Sequence, residues 1–280
     1  MRIDLHAHTA VSDGTTSPAD LVAQARDAGL DVVAITDHDT TAGWDEAVQA
    51  AGRLGVGLVR GLEMSTRYDE RSVHLLCYLP DPDHPALVAE LDKIRDDRAG
   101  RVARMVANLA RDHPLTLADV RAHAPDARTL GRPHIADALV AQGVVADRTE
   151  AFAHLLSPRG GYYVGHYATP TDEAVALVRA AGGVPVLAHP GAAARGRILS
   201  DEALDALAAA GVAGLEVHHR DHTPEQVERL AAIAARLGLL VTGSSDFHGT
   251  GKPNRLGENL TDPAVLDAVA AQGAVPVLRP

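Results

Sequence analysis

The chain has 280 residues, 46% of them hydrophobic but only 3% aromatic, with a formal net charge of −11. That length buries a full core, made here from Ala, Val and Leu, and suits one large α/β domain or one domain with an insert. The acidic balance gives no global attraction for nucleic acid or anionic membrane; the single Cys77 excludes an intrachain disulfide and fits a reducing, cytoplasmic compartment; and neither a secretory leader nor an apolar run of ~18 residues is read.

In chain order, "RIDLHAH" predicts a strand. "SPADLVAQARDAGL" predicts a helix, with Ser17 as N-cap, Pro18 at the first helical position and Gly29 as the stop. "DVVAIT" reads as a buried strand and "GWDEAVQAAGRLG" as a helix. "GVGLVRGLEMST" and "SVHLLCYLP" read as strands that pair around the polar turn "RYDERS". After residue 165 come strand "VPVLAHP", helix 201–210, strand "GLEVHH", helix 224–237, strand "LLVTGSSDFHG", helix 262–271 and strand "AVPVLRP". Strand and helix alternate and the strands are apolar on both faces, which implies a mostly parallel sheet. About seven strands over this length imply a closed or nearly closed barrel. Residues 85–165 break the rhythm with helical patterns and little strand. The chain therefore divides into a barrel, 1–84 and 166–280, and a helical insert, 85–165.

Chemistry gathers at the strand ends. Residues i and i+2 of a strand share a face, so His6 and His8 point together, a half-site for a metal ion. A lone His-x-His is more often two polar residues at a strand end. Here "AITDHDT" adds Asp37, His38 and Asp39, "RGLEMS" adds Glu63, "SVHLL" adds His74, "VLAHPG" adds His189, and "GSSDFHG" adds Asp246 and His248. In parallel barrels the carboxyl ends of the strands converge on one mouth. So many imidazoles and carboxylates exceed the needs of one ion, and two or three ions sharing a bridging carboxylate fit better.

The segments "DLHAHTAVSDGTTSP", "AITDHDT", "GLEMS", "AHPG" and "GSSDFHG" resemble the motifs of the PHP (polymerase and histidinol phosphatase) superfamily, from residue 3 to about 257 apart from the insert. The insert segment "GRPHIA" at 131–136 is similar to one in the stand-alone nucleotide phosphoesterases of that superfamily. The resemblance implies a distorted (β/α)7 barrel with a small helical insert covering the active site, and a trinuclear metal centre. It implies that His6, His8, Glu63 and Asp246 hold one ion. Glu63, His74 and His189 would hold a second, and Asp13, His38 and His248 a third. Mn2+ is the first expectation for the metal, with Fe2+ and Zn2+ as alternatives that suit the same donors.

Asp13 stands in a Ser-Asp-Gly turn and enters the ligand set through the resemblance. Asp37 and Asp39 read as supporting acceptors or a helix cap. Glu216, His218 and His219, at another strand end, are not counted among the ligands. His84, His113, His123, His154 and His166 read as solvated. Arg95, Arg98 and Arg101 recur on one helical face. They form either a solvated basic face paired with Asp92, Asp96 and Asp97, or a phosphate clamp. Among them Arg98 and Arg101 are candidate substrate-binding residues, and the resemblance implies contact with a second phosphate of the substrate. Arg132 and His134, in a turn stiffened by Pro133, are read as binding substrate and acting in catalysis, His134 as a proton donor to the leaving oxygen. Arg195 and Arg197 are weaker candidates.

The function read from these residues is hydrolysis of a phosphate monoester of a small nucleotide, a 3',5'-bisphosphate nucleotide first. No membrane and no obligate protein partner are expected. The alternatives are a 5'-3' exonuclease on short oligonucleotides, a histidinol-phosphate phosphatase, which the Arg-rich insert disfavours, and a non-catalytic metal-binding PHP module, which an intact ligand set disfavours.

Overall fold

The computed structural model describes residues 1–279 except 70, 126, 128, 129, 159, 166 and 194–197. Arg195, Arg197 and His166 therefore lie outside the described residues. In chain order the elements are β1 (Ile3–Asp4), α1 (Pro18–Asp27), β2 (Val32–Ile35), α2 (Trp44–Leu54), β3 (Gly57–Tyr68), β4 (Arg71–Tyr78), α3 (Pro85–Leu109), α4 (Leu117–Ala122), α5 (Arg132–Ala141), α6 (Arg148–His154), β5 (Thr169–Pro170), α7 (Thr171–Ala180), β6 (Val184–Leu187), α8 (Asp201–Ala209), β7 (Gly214–His218), α9 (Pro224–Leu237), β8 (Leu240–Gly243) and α10 (Pro263–Ala270). Contacts divide the chain into two units, residues 1–91 with 168–280, and residues 92–167.

The first unit is a distorted (β/α)7 barrel. Its sheet runs β1-β2-β3-β4-β6-β7-β8, with β5 beside β3 and off this path. Neighbours are parallel except around β4, which is antiparallel to both β3 and β6. The cause is local: β3 ends at Tyr68 and β4 begins at Arg71, and so short a connection reverses the chain, whereas parallel neighbours need a crossover. The first and last strands meet beyond their ends. Ala7 bridges Phe247 in parallel, and His8 N–H donates to Phe247 O at 2.8 Å.

Strand alternation sorts the core. Val32 and Ala34 of β2 join Val59, Leu76, Tyr78, Val184 and Val186 in one cluster inside the sheet, where the Tyr78 hydroxyl donates to Leu5 O at 2.9 Å. Val33 and Ile35 face the other way, onto Leu21 and Val22 of α1 and Trp44 and Ala47 of α2. The α1 ends follow the sequence: Ser17 Oγ accepts from Asp20 N at 3.0 Å, and Gly29 takes a left-handed φ of 71°.

The second unit is helical among its described residues. Val102, Met105 and Leu109 of α3 pack with Ile135 and Leu139 of α5 and with Leu156.

Two expected strands differ. β1 is shorter than residues 2–8, because Thr36 replaces its ladder: Thr36 Oγ1 accepts from Ala7 N at 3.1 Å and Thr36 N donates to Ala7 O at 2.9 Å. "AVPVLRP" forms no strand. Among its described residues it joins the sheet through a bridge between Leu58 and Leu278, with Val275 and Val277 packed on the core, and Pro276 lacks the N–H a ladder needs.

Candidate active site

His6 and His8 follow β1 with their Nε2 atoms 3.0 Å apart. His38 follows β2, Glu63 sits in β3, His74 in β4, His189 just beyond β6, and Asp246 and His248 beyond β8. Asp13 comes from the loop after His8. That loop folds tightly: Gly14 N–H donates to Thr9 O at 2.9 Å, and a Cβ on Gly14 would lie 2.7 Å from the His8 carbonyl oxygen. His189 and Asp246 have φ of 33° and 52°. These left-handed residues break strand alternation where the chain turns over the barrel end, a conformation sparsely populated by residues other than Gly.

Glu63 lies at the centre and is buried. Its Oε2 is 3.0 Å from His8 Nε2 and 3.3 Å from both His6 Nε2 and His38 Nδ1. Its Oε1 is 2.8 Å from His74 Nδ1 and 3.1 Å from His189 Nε2. Asp13 Oδ1 lies 3.3 Å from His248 Nε2 and 3.6 Å from His8 Nδ1, and Asp13 Oδ2 3.8 Å from His38 Nε2. Three groups of donor atoms each lie within 4.8 Å of one another: His8, Asp13, His38 and His248; His6, His8, Glu63 and Asp246; and His38, Glu63 and His74. All nine residues singled out in the sequence are thus neighbours. The grouping differs from the expected partition: His8 also reaches the Asp13 group, His38 takes the place expected for His189 beside Glu63 and His74, and His189 falls in none of the three groups, meeting the cluster through Glu63 Oε1.

The donor set fits divalent metal ions. Imidazole nitrogen and carboxylate oxygen suit Mn2+, Fe2+ and Zn2+ alike. His248 Nε2 is fully buried yet makes no hydrogen bond. Burial, then the charges of Lys252 and His8, lower the His248 pKa to about 4, so its ring is neutral and free to ligate. Burial opposes charge on Glu63, but the rings of His74, His38 and His6 hold its pKa well below the ordinary carboxylate value. Burial likewise opposes a charged His6, but Glu216, Glu63 and Asp246 outweigh it and raise its pKa well above the imidazole norm. A cluster that holds protons this strongly holds divalent cations by the same electrostatics, releasing protons as they bind.

Beneath the donors lies a second layer. Asp37 accepts from Thr9 N at 2.8 Å, Thr9 Oγ1 at 2.7 Å and Ser12 Oγ at 2.6 Å; Asp39 accepts from Ser65 N at 2.6 Å. Both are supporting acceptors, and neither caps a helix. Glu216, which sequence reasoning set aside, is fully buried. Its Oε1 meets His6 Nδ1 at 2.9 Å and also accepts from Ser244 Oγ, while its Oε2 accepts from His189 N at 2.6 Å. Anchoring Nδ1 leaves the His6 Nε2 lone pair for a metal. The available signal was a lone carboxylate inside the apolar run "GLEV". His218 is exposed at the end of the same strand, whereas His219 is buried beside Asp246. Among the other histidines, His123 and His154 are exposed, and His84 and His113 are half-buried.

The helical unit contains a cluster of cations. Arg101 is 4% exposed; its Nε donates to Val164 O at 2.6 Å, and its guanidinium lies 5.0 Å from the Tyr163 ring centre. Arg132, in the first turn of α5, lies 5.7 Å from the same ring and 5.3 Å from Phe152. Burial, then the like charges of Arg132 and Arg98, lower the Arg101 pKa to about 10. Burial and Arg98 lower that of Arg132 as well. Arg101 Nη2 is buried and makes no hydrogen bond. Arg95 pairs with Asp92, as a solvated face requires, but Arg101 does not follow that pattern. His134 is buried, and its Nδ1 accepts from Gly131 N–H at 3.0 Å, which places the proton of the neutral ring on Nε2.

A barrel with these donors at the strand ends defines a protein built to hold divalent metal ions. The PHP domain model matches residues 4–117. A 3',5'-nucleoside bisphosphate phosphatase of Chromobacterium violaceum is 33% identical over 99% of this chain and 98% of its own. A 5'-3' exoribonuclease of Haemophilus influenzae is 32% identical over 92% of this chain and 94% of its own. A solved structure from Bifidobacterium adolescentis, of a protein assigned as a metal-dependent phosphoesterase, superposes with a TM-score of 0.94 at 48% identity, covering 98% of this chain and 96% of that one. The chain belongs to the PHP domain family.

Proposed function

We propose that this metal-dependent phosphoesterase hydrolyses phosphate monoesters of small nucleotides, 3',5'-bisphosphate nucleotides first, giving the 5'-monophosphate and inorganic phosphate. The observation that carries this reading is the buried Arg101 Nη2 without a hydrogen bond, in a cluster with Arg98 and Arg132. A chain with a metal-binding cluster and a separate cluster of cations suits a substrate with two phosphates. The named relative from Chromobacterium violaceum supports the same substrate class.

In this reading the nine donors His6, His8, Asp13, His38, Glu63, His74, His189, Asp246 and His248 hold three divalent ions, Mn2+ first. Such ions, when bound, offset phosphate charge and make water more acidic. Glu63 is shared, one oxygen facing His74 and His189 and the other His6, His8 and His38. Arg98, Arg101 and Arg132 grip the second phosphate through guanidinium forks. His134 presents Nε2–H as a proton donor to the leaving oxygen. No helix among the described residues is long and apolar enough to cross a membrane. With one buried thiol and no disulfide, the protein is assigned to the cytoplasm.

A second reading, exonucleolytic removal of nucleotides from short oligonucleotides, is favoured by the Haemophilus influenzae relative. A phosphate- and nucleotide-release screen with Mn2+ separates the readings. It compares 3',5'-bisphosphate nucleotides, mononucleotides, short oligonucleotides and histidinol phosphate. The highest kcat/KM is expected for the bisphosphates. Turnover of oligonucleotides with bisphosphates ignored would replace the first reading by the second.

A further inference from the structure

Asp246 is held differently at its two oxygens. Oδ1 faces the donor cluster, 3.4 Å from the Nε2 atoms of His6 and His8 and 3.5 Å from His248 Nδ1. Oδ2 accepts from the Lys252 ammonium at 3.1 Å. His219 Nε2 lies 3.6 Å from the same oxygen. His219 Nδ1 accepts from Asp221 N–H at 3.1 Å, so the neutral ring carries its proton on Nε2. At that distance His219 Nε2, which is buried, makes no hydrogen bond to Asp246.

The backbone builds this arrangement. After His248 the chain turns through Gly249 at a φ of 66° and a short 3-10 turn, Gly249–Gly251, which brings Lys252 back over Asp246. Thr15 staples the turn in place: Thr15 N–H donates to His248 O at 3.1 Å, and Thr15 Oγ1 accepts from Thr250 N at 2.8 Å. A Cβ on residue 249 would lie 2.1 Å from Thr15 Oγ1. Asp246 has itself left the strand, so the pleat does not orient its carboxylate. The grip on Oδ2 does.

We infer that Lys252 is a positioning residue that fixes Asp246 as a one-oxygen metal ligand; this rests on the metal-centre reading above. Two consequences follow from removing the ammonium. The carboxylate loses the partner that orients it, and partners of this kind are worth ~10- to 100-fold in metal affinity. It also becomes free to offer both oxygens to one ion, a mode that suits the larger, more flexible Ca2+ shell. Lys252 thus sets both affinity and the preference for small ions over Ca2+.

The test uses full-length, metal-stripped protein titrated with Mn2+ and with Ca2+ by calorimetry. The variants are Lys252→Met, Lys252→Arg and Asp246→Asn, with melting of each stripped form. Lys252→Met is expected to lose ~10- to 100-fold in Mn2+ affinity at one class of site. Its Mn2+/Ca2+ preference should narrow, with melting of the stripped form unchanged and Lys252→Arg keeping most of the affinity. Mn2+ affinity equal to wild type in Lys252→Met overturns the inference, as does a loss with the Mn2+/Ca2+ preference unchanged. Equal Mn2+ binding by wild type and Asp246→Asn, or none by wild type, overturns the metal-centre reading itself.

Discussion

Replacing Arg101 by Met should separate stability from activity. The lowering of the Arg101 pKa to about 10 by burial and the charges of Arg132 and Arg98 corresponds to roughly 3 kcal/mol against its charged form at ~1.4 kcal/mol per tenfold. Against it stand the hydrogen bond to Val164 O at 2.6 Å, about 1.5–3 kcal/mol for a charged donor, and the Tyr163 face, about 0.5–2 kcal/mol. These nearly cancel, so the stability of ligand-free protein should change by no more than about 1 kcal/mol. Substrate loses a charge-assisted contact of about 2–3 kcal/mol, which is roughly 30- to 150-fold in kcat/KM. Melting of metal-stripped protein, with and without inorganic phosphate, reads the cluster alone: phosphate should raise the wild-type melting temperature more than that of Arg101→Met. Kinetics on the same preparations complete the comparison. A variant destabilised by several kcal/mol with unchanged kinetics would show that Arg101 only ties α3 to residue 164.

Glu63→Gln should lower metal content and reduce kcat/KM by roughly 100-fold or more, because both oxygens face donor imidazoles; full metal content by elemental analysis would refute the shared role. Glu216→Gln should weaken metal retention under chelator by ~10- to 100-fold, since it unseats His6 Nδ1 and the His189 backbone together. Retention matching wild type would leave Glu216 a purely structural acid. Cys77 is fully buried, and burial alone pushes its thiol pKa well up. A colourless-to-coloured thiol reagent should therefore react with it only as the protein unfolds, and labelling faster than unfolding would disprove that enclosure.

Most donors were legible in the sequence because they stand where an apolar run ends; Asp13, in a polar turn, and His74, inside the run "SVHLL", depended on the family resemblance. His6 and His8, two residues apart, need only strand periodicity to be placed together, and "DFH" repeats the pattern. Glu216 was harder to see, since a carboxylate in "GLEV" acquires a meaning only when His6 and His189 are brought above it. Arg101 could not be told from Arg95 by spacing, because helical periodicity puts both on related faces. What separates them is the Val164 carbonyl and the Tyr163 ring, which arrive from some 60 residues away. The failed strand near 276 was marked by its own proline, but the apolar pattern around it outweighed that mark.

The seam of the barrel has a consequence for how the chain folds. Its two ends meet at a bridge, Ala7 to Phe247, about 240 residues apart. Closing a loop of that length opposes folding by roughly 5 kcal/mol beyond a constant, so this junction belongs among the last contacts to form and the first to fray. Ala7 lies between His6 and His8, and Phe247 between Asp246 and His248. On the function proposed above, an ion shared by those side chains would be a clasp across this junction. Metal loading would then act on the kinetics of closure as well as on chemistry: the loaded protein should gain a barrier to opening, and the His8 amide, bonded to Phe247 O, should exchange its hydrogen more slowly with metal than without it.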